Sequence, residues 1–174
     1  IPELDQYVFQ NRIYDWGEMW APQVVTGWTR SKVYVNEDDV CNAYFDGDLH
    51  FYRSGGGCNN TGRIADVSFH EWGHGFHYYN LLSGDFDGAM SEGIADSISF
   101  FQTEDNLMAP NFGSNGAHIR DVAPNYRYPE DIVDEVHQDG LIFAGAVWDW
   151  WNDLRGELGD DEAYEIVVPV FVSG

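Results

Sequence analysis

Basic residues are nearly missing from this 174-residue chain. Eight Lys and Arg, of which Lys32 is the only lysine, stand against 30 Asp and Glu, for a formal net charge of −22. A surface of that sign repels phosphate backbones and anionic headgroups, so nucleic acid and membrane surfaces are excluded as expected partners. Long hydrophobic runs are missing too. The best candidate, Leu141 to Val147, soon meets Asp149 and falls far short of the ~18 residues that span a bilayer. There is no internal repeat and no low-complexity tract. Cysteine is limited to Cys41 and Cys58. An even pair in an acidic, lysine-poor chain points to a disulfide and an oxidising compartment, although two buried thiols would leave the same trace. The chain opens Ile-Pro, with no Met and no charged-then-apolar leader, so we expect a processed or trimmed start.

What the chain does have is apolar and aromatic mass. Apolar residues make up 44%, with seven Trp, ten Tyr and eleven Phe. One domain spanning 1–174 can bury a core of its own at this size. The acid excess serves solubility and salt tolerance, or it supplies calcium ligands.

Val8, Ile13, Trp16 and Trp20 are compatible with one helical face over 5–20. Val33 to Val35 reads as a strand. Residues 42–45 and 49–52 flank Asp46-Gly47 as a hairpin. The glycine-rich stretch Ser54 to Gly62 is a loop, and Ser83 to Gly88 a turn. Helices are expected over 64–80, 89–102 and about 139–158, the segment between 104 and 131 being loop-rich. Ile166 to Val172 is a short apolar run broken by Pro169. Strands early and helices late give an α+β class: one domain with a sheet-rich lobe plus the helix over 64–80 in 1–80, and a mainly helical lobe over 81–174.

His70-Glu71-Trp72-Gly73-His74 carries the chemistry. Residues four apart share one helical face, so two imidazoles can hold one ion, with Glu71 beside it to take a proton from water. A catalytic zinc needs a third protein ligand and an open position. His77 lies about 10 Å along the axis from His70, too far to join both other histidines on one ion. The third histidine of an H-E-x-x-H-x-x-G-x-x-H pattern is ruled out by His77 and Asn80, where Gly and His are required. Ser91-Glu92-Gly93-Ile94-Ala95-Asp96 supplies the alternative. Glu92 can ligate the ion, and Asp96, one turn on, can accept a ligating histidine's other ring N–H.

H-E-x-x-H followed by E-x-x-x-D resembles the gluzincin zinc metallopeptidases, the thermolysin and fungalysin group. The resemblance covers roughly residues 5–155 and is most specific at 70–96. It implies a zincin-like fold: a small mixed sheet with an edge strand packed on the zinc helix, here with a reduced helical C-terminal lobe. Cys41-Asn42-Ala43-Tyr44-Phe45 is similar to the group's edge strand, so the likeness gives Asn42 and Ala43 to the substrate backbone. Val136-His137-Gln138-Asp139-Gly140 is similar to the fungalysin segment whose histidine bonds the oxyanion; His137 itself stands just before the expected third helix. The stretch Ile119-Arg120-Asp121 implies that Arg120 meets a substrate carbonyl. Similar enzymes use an acid at the position of Asp66 for structural calcium, and Glu104 and Asp105 can complete the shell. The group's oxyanion tyrosine has no counterpart, Ser83, Asp85 and Phe86 standing in that loop.

The expected activity is therefore that of a secreted, monomeric zinc endopeptidase acting on peptides or proteins, with calcium as a second, structural cation. Its rivals are an exopeptidase of the same superfamily, for which no free-amine site is visible, and a catalytically inactive metal-binding module. The intact Glu71 argues against the latter, since a binding module has no use for a base beside the metal.

Overall fold

The computed structural model describes residues 1–28, 31–81 and 84–174. Ser83 lies outside them. Among the described residues the architecture is mixed α+β, with six α-helices and a small sheet. Helix α1 (Pro2–Trp20) starts on a proline, whose fixed φ suits a first turn, and α2 (Pro22–Gly27) follows after Ala21. Strands β1 (Val33–Glu37), β2 (Ala43–Phe45) and β3 (Leu49–Tyr52) form a sheet of order β1-β3-β2. β3 runs parallel to β1 and antiparallel to β2, with Ala43 opposite Phe51 and Phe45 opposite Leu49. The Asp46-Gly47 hairpin is thus present, and β2 is an edge strand with one side unpaired among the described residues. A disulfide joins Cys41 to Cys58, with Cα atoms 5.3 Å apart, and ties the entry of β2 to the glycine-rich loop. No helix is long and apolar enough to cross a membrane.

The helices α3 (Ala65–Asn80), α4 (Gly88–Thr103), α5 (Val136–Leu158) and α6 (Asp160–Ser173) build the larger core. Trp72, fully buried, is its centre on α3, ringed by Tyr14, Trp16, Trp28 and Phe76 at centroid distances of 5.2–6.2 Å. This core takes Ile13 and Trp16 from the first helix and Val167 and Val168 from the last, so it runs through both halves of the chain. A smaller cluster of Leu49, Phe51, Ile64 and Val67 seats the sheet on the start of α3.

Three glycines set how closely the site-bearing helices approach. A Cβ at Gly73 would stand 2.6 Å from Ala95 Cα on α4. Between α4 and α5, a Cβ at Gly140 would meet Glu92 Cβ at 2.7 Å, and one at Gly93 the Gly140 carbonyl at 2.6 Å. Backbone cannot yield as a flexible side chain does, so these helices touch only because the side chains are missing. Gly73→Ala is expected to cost about 1–3 kcal/mol in urea unfolding by overpacking. An unchanged midpoint would mean that the α3–α4 contact has slack.

Three expectations are corrected. Helix α5 begins at Val136, three residues before Asp139, because Glu135 caps it: its carboxylate accepts the backbone N–H groups of His137 (3.3 Å) and Gln138 (3.0 Å). The run around Pro169 is not broken but lies inside α6. A mid-helix proline costs about 3 kcal/mol, and burial of Ala163, Val167, Val168 and Val172 on one side of α6 offsets it. The loop-rich stretch contains a two-stranded ribbon, β4 (Leu107–Met108) against β5 (Arg120–Asp121).

Candidate metal centre

The ligand atoms of His70, His74 and Glu92 all lie within 4.8 Å of one another, and no other trio of His, Cys, Asp or Glu does so among the described residues. α3 puts the two histidines one turn apart on one face, and α4, drawn close by Gly73, sets Glu92 opposite them. His70 Nε2 is 3.3 Å from Glu92 Oε2, and His74 Nε2 is 3.6 Å from Glu92 Oε1. Each imidazole is fixed through its other nitrogen. His70 Nδ1 donates to Asp96 Oδ1 at 2.8 Å, and His74 Nδ1 lies 2.9 Å from Ser91 Oγ. Such anchoring presents both Nε2 atoms to a shared point and makes the rings better ligands.

Asp96 is completely buried and carries more than one partner. Arg120 grips it as a fork, Nε to Oδ2 at 2.7 Å and Nη2 to Oδ1 at 2.6 Å, and reaches Glu92 Oε2 at 3.4 Å. Its Nη1 has no protein partner among the described residues, and the residue lines the central cavity. Burial alone would raise the Asp96 pKa, but Arg120 and His70 hold it down at about 2. Glu92 is likewise held low by His70, His74 and His137 against the effect of burial. Burial drives His74 down to about 3, so at neutral pH it is an unprotonated ligand. Burial, with some help from Glu92, pushes Glu71 up to about 7; His70, Arg120 and His137 moderate the rise.

His137 is the second residue of α5, not a residue ahead of it. It is half exposed; its Nε2 lies 3.4 Å from Glu92 Oε1 and its Nδ1 2.7 Å from Glu135 Oε1. The cap of α5 therefore also orients the ring. Asn42 and Ala43 line a cavity of about 1050 Å³, which also takes in His70, Glu71, His74, Glu92, Arg120 and His137. Sequence reasoning missed two supporting residues, Ser91 and Glu135. The available signals were thin: Ser91 immediately precedes Glu92, and Glu135 stands two residues before His137.

The calcium shell is not assembled as expected. The Glu104 carboxylate, at the solvent-exposed end of α4, faces Arg155 at 3.7 Å, and Asp105 accepts the Leu107 backbone N–H at 3.0 Å. Asp66, one turn before His70, is only 5% exposed, and its Oδ1 has no hydrogen-bond partner. Burial raises its pKa to about 6; backbone N–H groups, including that of Ala109, lower it, and Asp105 and Asp96 raise it. A raised acid pKa means that the folded state keeps its proton where the unfolded chain, near 3.9, has lost it. Stability should fall by about 3 kcal/mol as pH rises from about 4 to about 7. Asp66→Asn should remove that slope, stabilising the protein at pH 7 and leaving it unchanged below pH 4 in urea titrations. A variant less stable at pH 7 would mean that a cation holds the carboxylate.

Comparisons with protein-family models, curated proteins and solved structures returned no match.

Proposed function

We propose that this chain is a secreted zinc endopeptidase of zincin-like fold, acting on extended peptide or protein substrates. The observation that carries the proposal is the two-imidazole, one-carboxylate trio with the buried Glu71 beside it, opening on a cavity edged by an unpaired strand. The donor set fits zinc: two imidazole nitrogens and one carboxylate leave a coordination position open. Zinc held by His70, His74 and Glu92 supplies Lewis acidity, acidifying water and polarising a carbonyl. The chain's own groups do the rest. Glu71 accepts the proton of the attacking water and returns it to the leaving amine. His137 Nε2 donates to the oxyanion as the carbonyl becomes tetrahedral, with Glu135 holding the ring in position. Arg120 keeps Asp96 charged, so that His70 stays in one tautomer, and offers Nη1 to a substrate carbonyl. Ala43, on the unpaired edge of β2, takes the substrate as an added strand, with Asn42, whose carbonyl accepts the Thr61 hydroxyl, at its end. The disulfide is compatible with an extracellular protein.

The test is an internally quenched peptide blocked at both ends. Cleavage that 1,10-phenanthroline stops and zinc restores is expected. A protein that binds zinc and leaves every blocked and free peptide intact is a binding module, and one that needs a free terminus is an exopeptidase. His137→Ala is expected to keep one zinc per chain and KM within a few-fold, while kcat falls by about 10²–10³. An unchanged kcat would make His137 a bystander.

A further inference from the structure

Besides Glu71 and Glu92 at the metal trio, the cavity is lined by a third buried carboxylate, Asp66. β2 runs alongside α3: Ala43 packs in the cluster that contains Ile64 and Val67, while a Cβ at Gly75 would meet the Phe45 ring at 3.2 Å. A substrate added antiparallel to β2 therefore runs from the Phe45 end toward the Asn42 end. Residues after the cleaved bond then fall toward the start of α3, where Asp66 lies.

Asp66, His70 and His74 occupy successive turns of one face of α3, and all three line the cavity. Asp66 is about 6 Å along the axis from the first zinc histidine, a distance comparable to the reach of a lysine side chain. The apolar part of the cavity lining includes Val67, Met108, Ala109, Phe112, Ile119 and Leu141. The Asp66 carboxylate is nine-tenths buried, its Oδ1 is unpartnered, and its charged neighbours, Asp105 and Asp96, are both acids. An unpaired buried charge is costly, and a cation at the carboxylate would relieve that cost.

We propose that the subsite for the residue following the cleaved bond takes a lysine or arginine side chain, its alkyl stem along the apolar walls and its charged end on Asp66. The inference rests on the endopeptidase proposal above. A hard cation fits this pocket poorly. Calcium takes six to eight oxygens, whereas Glu104 is turned to Arg155 and the Asp66 carboxylate has only Asp105 and Asp96 as acidic neighbours. Long basic side chains suit such a site because they bury methylenes while the charged end finds its acceptor. The net charge of −22 works in the same direction, drawing cationic peptides toward the cleft.

The test uses the zinc-loaded protein and four blocked, internally quenched peptides identical except for Lys, Arg, Leu or Glu after the cleaved bond. Expected is a kcat/KM for Lys or Arg at least about 30-fold above Leu, with Glu lowest. Asp66→Asn, with its fold verified by circular dichroism and its zinc by elemental analysis, should bring the Lys-to-Leu ratio to within a few-fold of one. Preference for Leu in the wild type, or a ratio that Asp66→Asn leaves intact, overturns the subsite and spares the endopeptidase. So does a melting temperature that calcium raises in the wild type but not in Asp66→Asn. If none of the four is cut by the zinc-loaded protein, both proposals fall together.

Discussion

Replacing Glu71 with Gln is expected to leave one zinc per chain and a folded protein, and to lower kcat by about 10³–10⁴. The amide is nearly isosteric, so the packing around this buried side chain survives. What disappears is the ability to accept a proton from water and deliver it to the departing amine. The ligands His70 and His74 flank Glu71 in sequence but present their Nε2 atoms to Glu92, so the substitution leaves the ligand trio whole. Substrate affinity should therefore change little. Turnover near the wild-type rate would show that another group carries the proton and would remove Glu71 from its assigned role.

Replacing Glu92 with Gln is expected to lose both the metal and all measurable turnover. Glu92 is the one charged member of the trio, and its carboxylate faces His70, His74, His137 and Arg120 at 3.3–3.6 Å. A neutral amide oxygen is a much weaker ligand for a divalent ion. The same change leaves Arg120 with Asp96 as its only acid partner. Metal content should fall well below one per chain after dialysis, while the helices persist because Trp72 and its aromatic neighbours do not touch Glu92's carboxylate. Full zinc retention would move the third ligand elsewhere.

The elements that could be read from sequence were those whose geometry is local. H-E-x-x-H and E-x-x-x-D each obey the four-residue spacing of one helix, so each pair declares its own face without knowledge of its neighbours. The Asp46-Gly47 hairpin declares itself through its turn residues. The close approach of α3, α4 and α5 at Gly73, Gly93 and Gly140 brings those faces together, and glycine in a helix reads from sequence only as a weak point. Arg120's grip on Asp96 depends on a two-residue ribbon pairing Met108 with Arg120 across the chain, too short to have a period. The start of α5 was misjudged because the cap is Glu135, outside the usual capping residues, and the same side chain turned out to steer His137. Pro169 read as a breaker because a proline's local cost is visible in sequence and the burial that offsets it is not. Glu104 looked available for a cation because its partner, Arg155, is 51 residues away in the chain.

The central claim is that one zinc ion sits on two imidazoles and one carboxylate. X-ray absorption at the zinc edge, on protein whose metal content has first been counted, tests it most directly. The expected result is one zinc per chain, with two imidazole nitrogens and light oxygen donors in the inner shell and no sulfur. Zinc absent from the purified, zinc-equilibrated protein, or bound in a shell with fewer than two imidazoles, would contradict it.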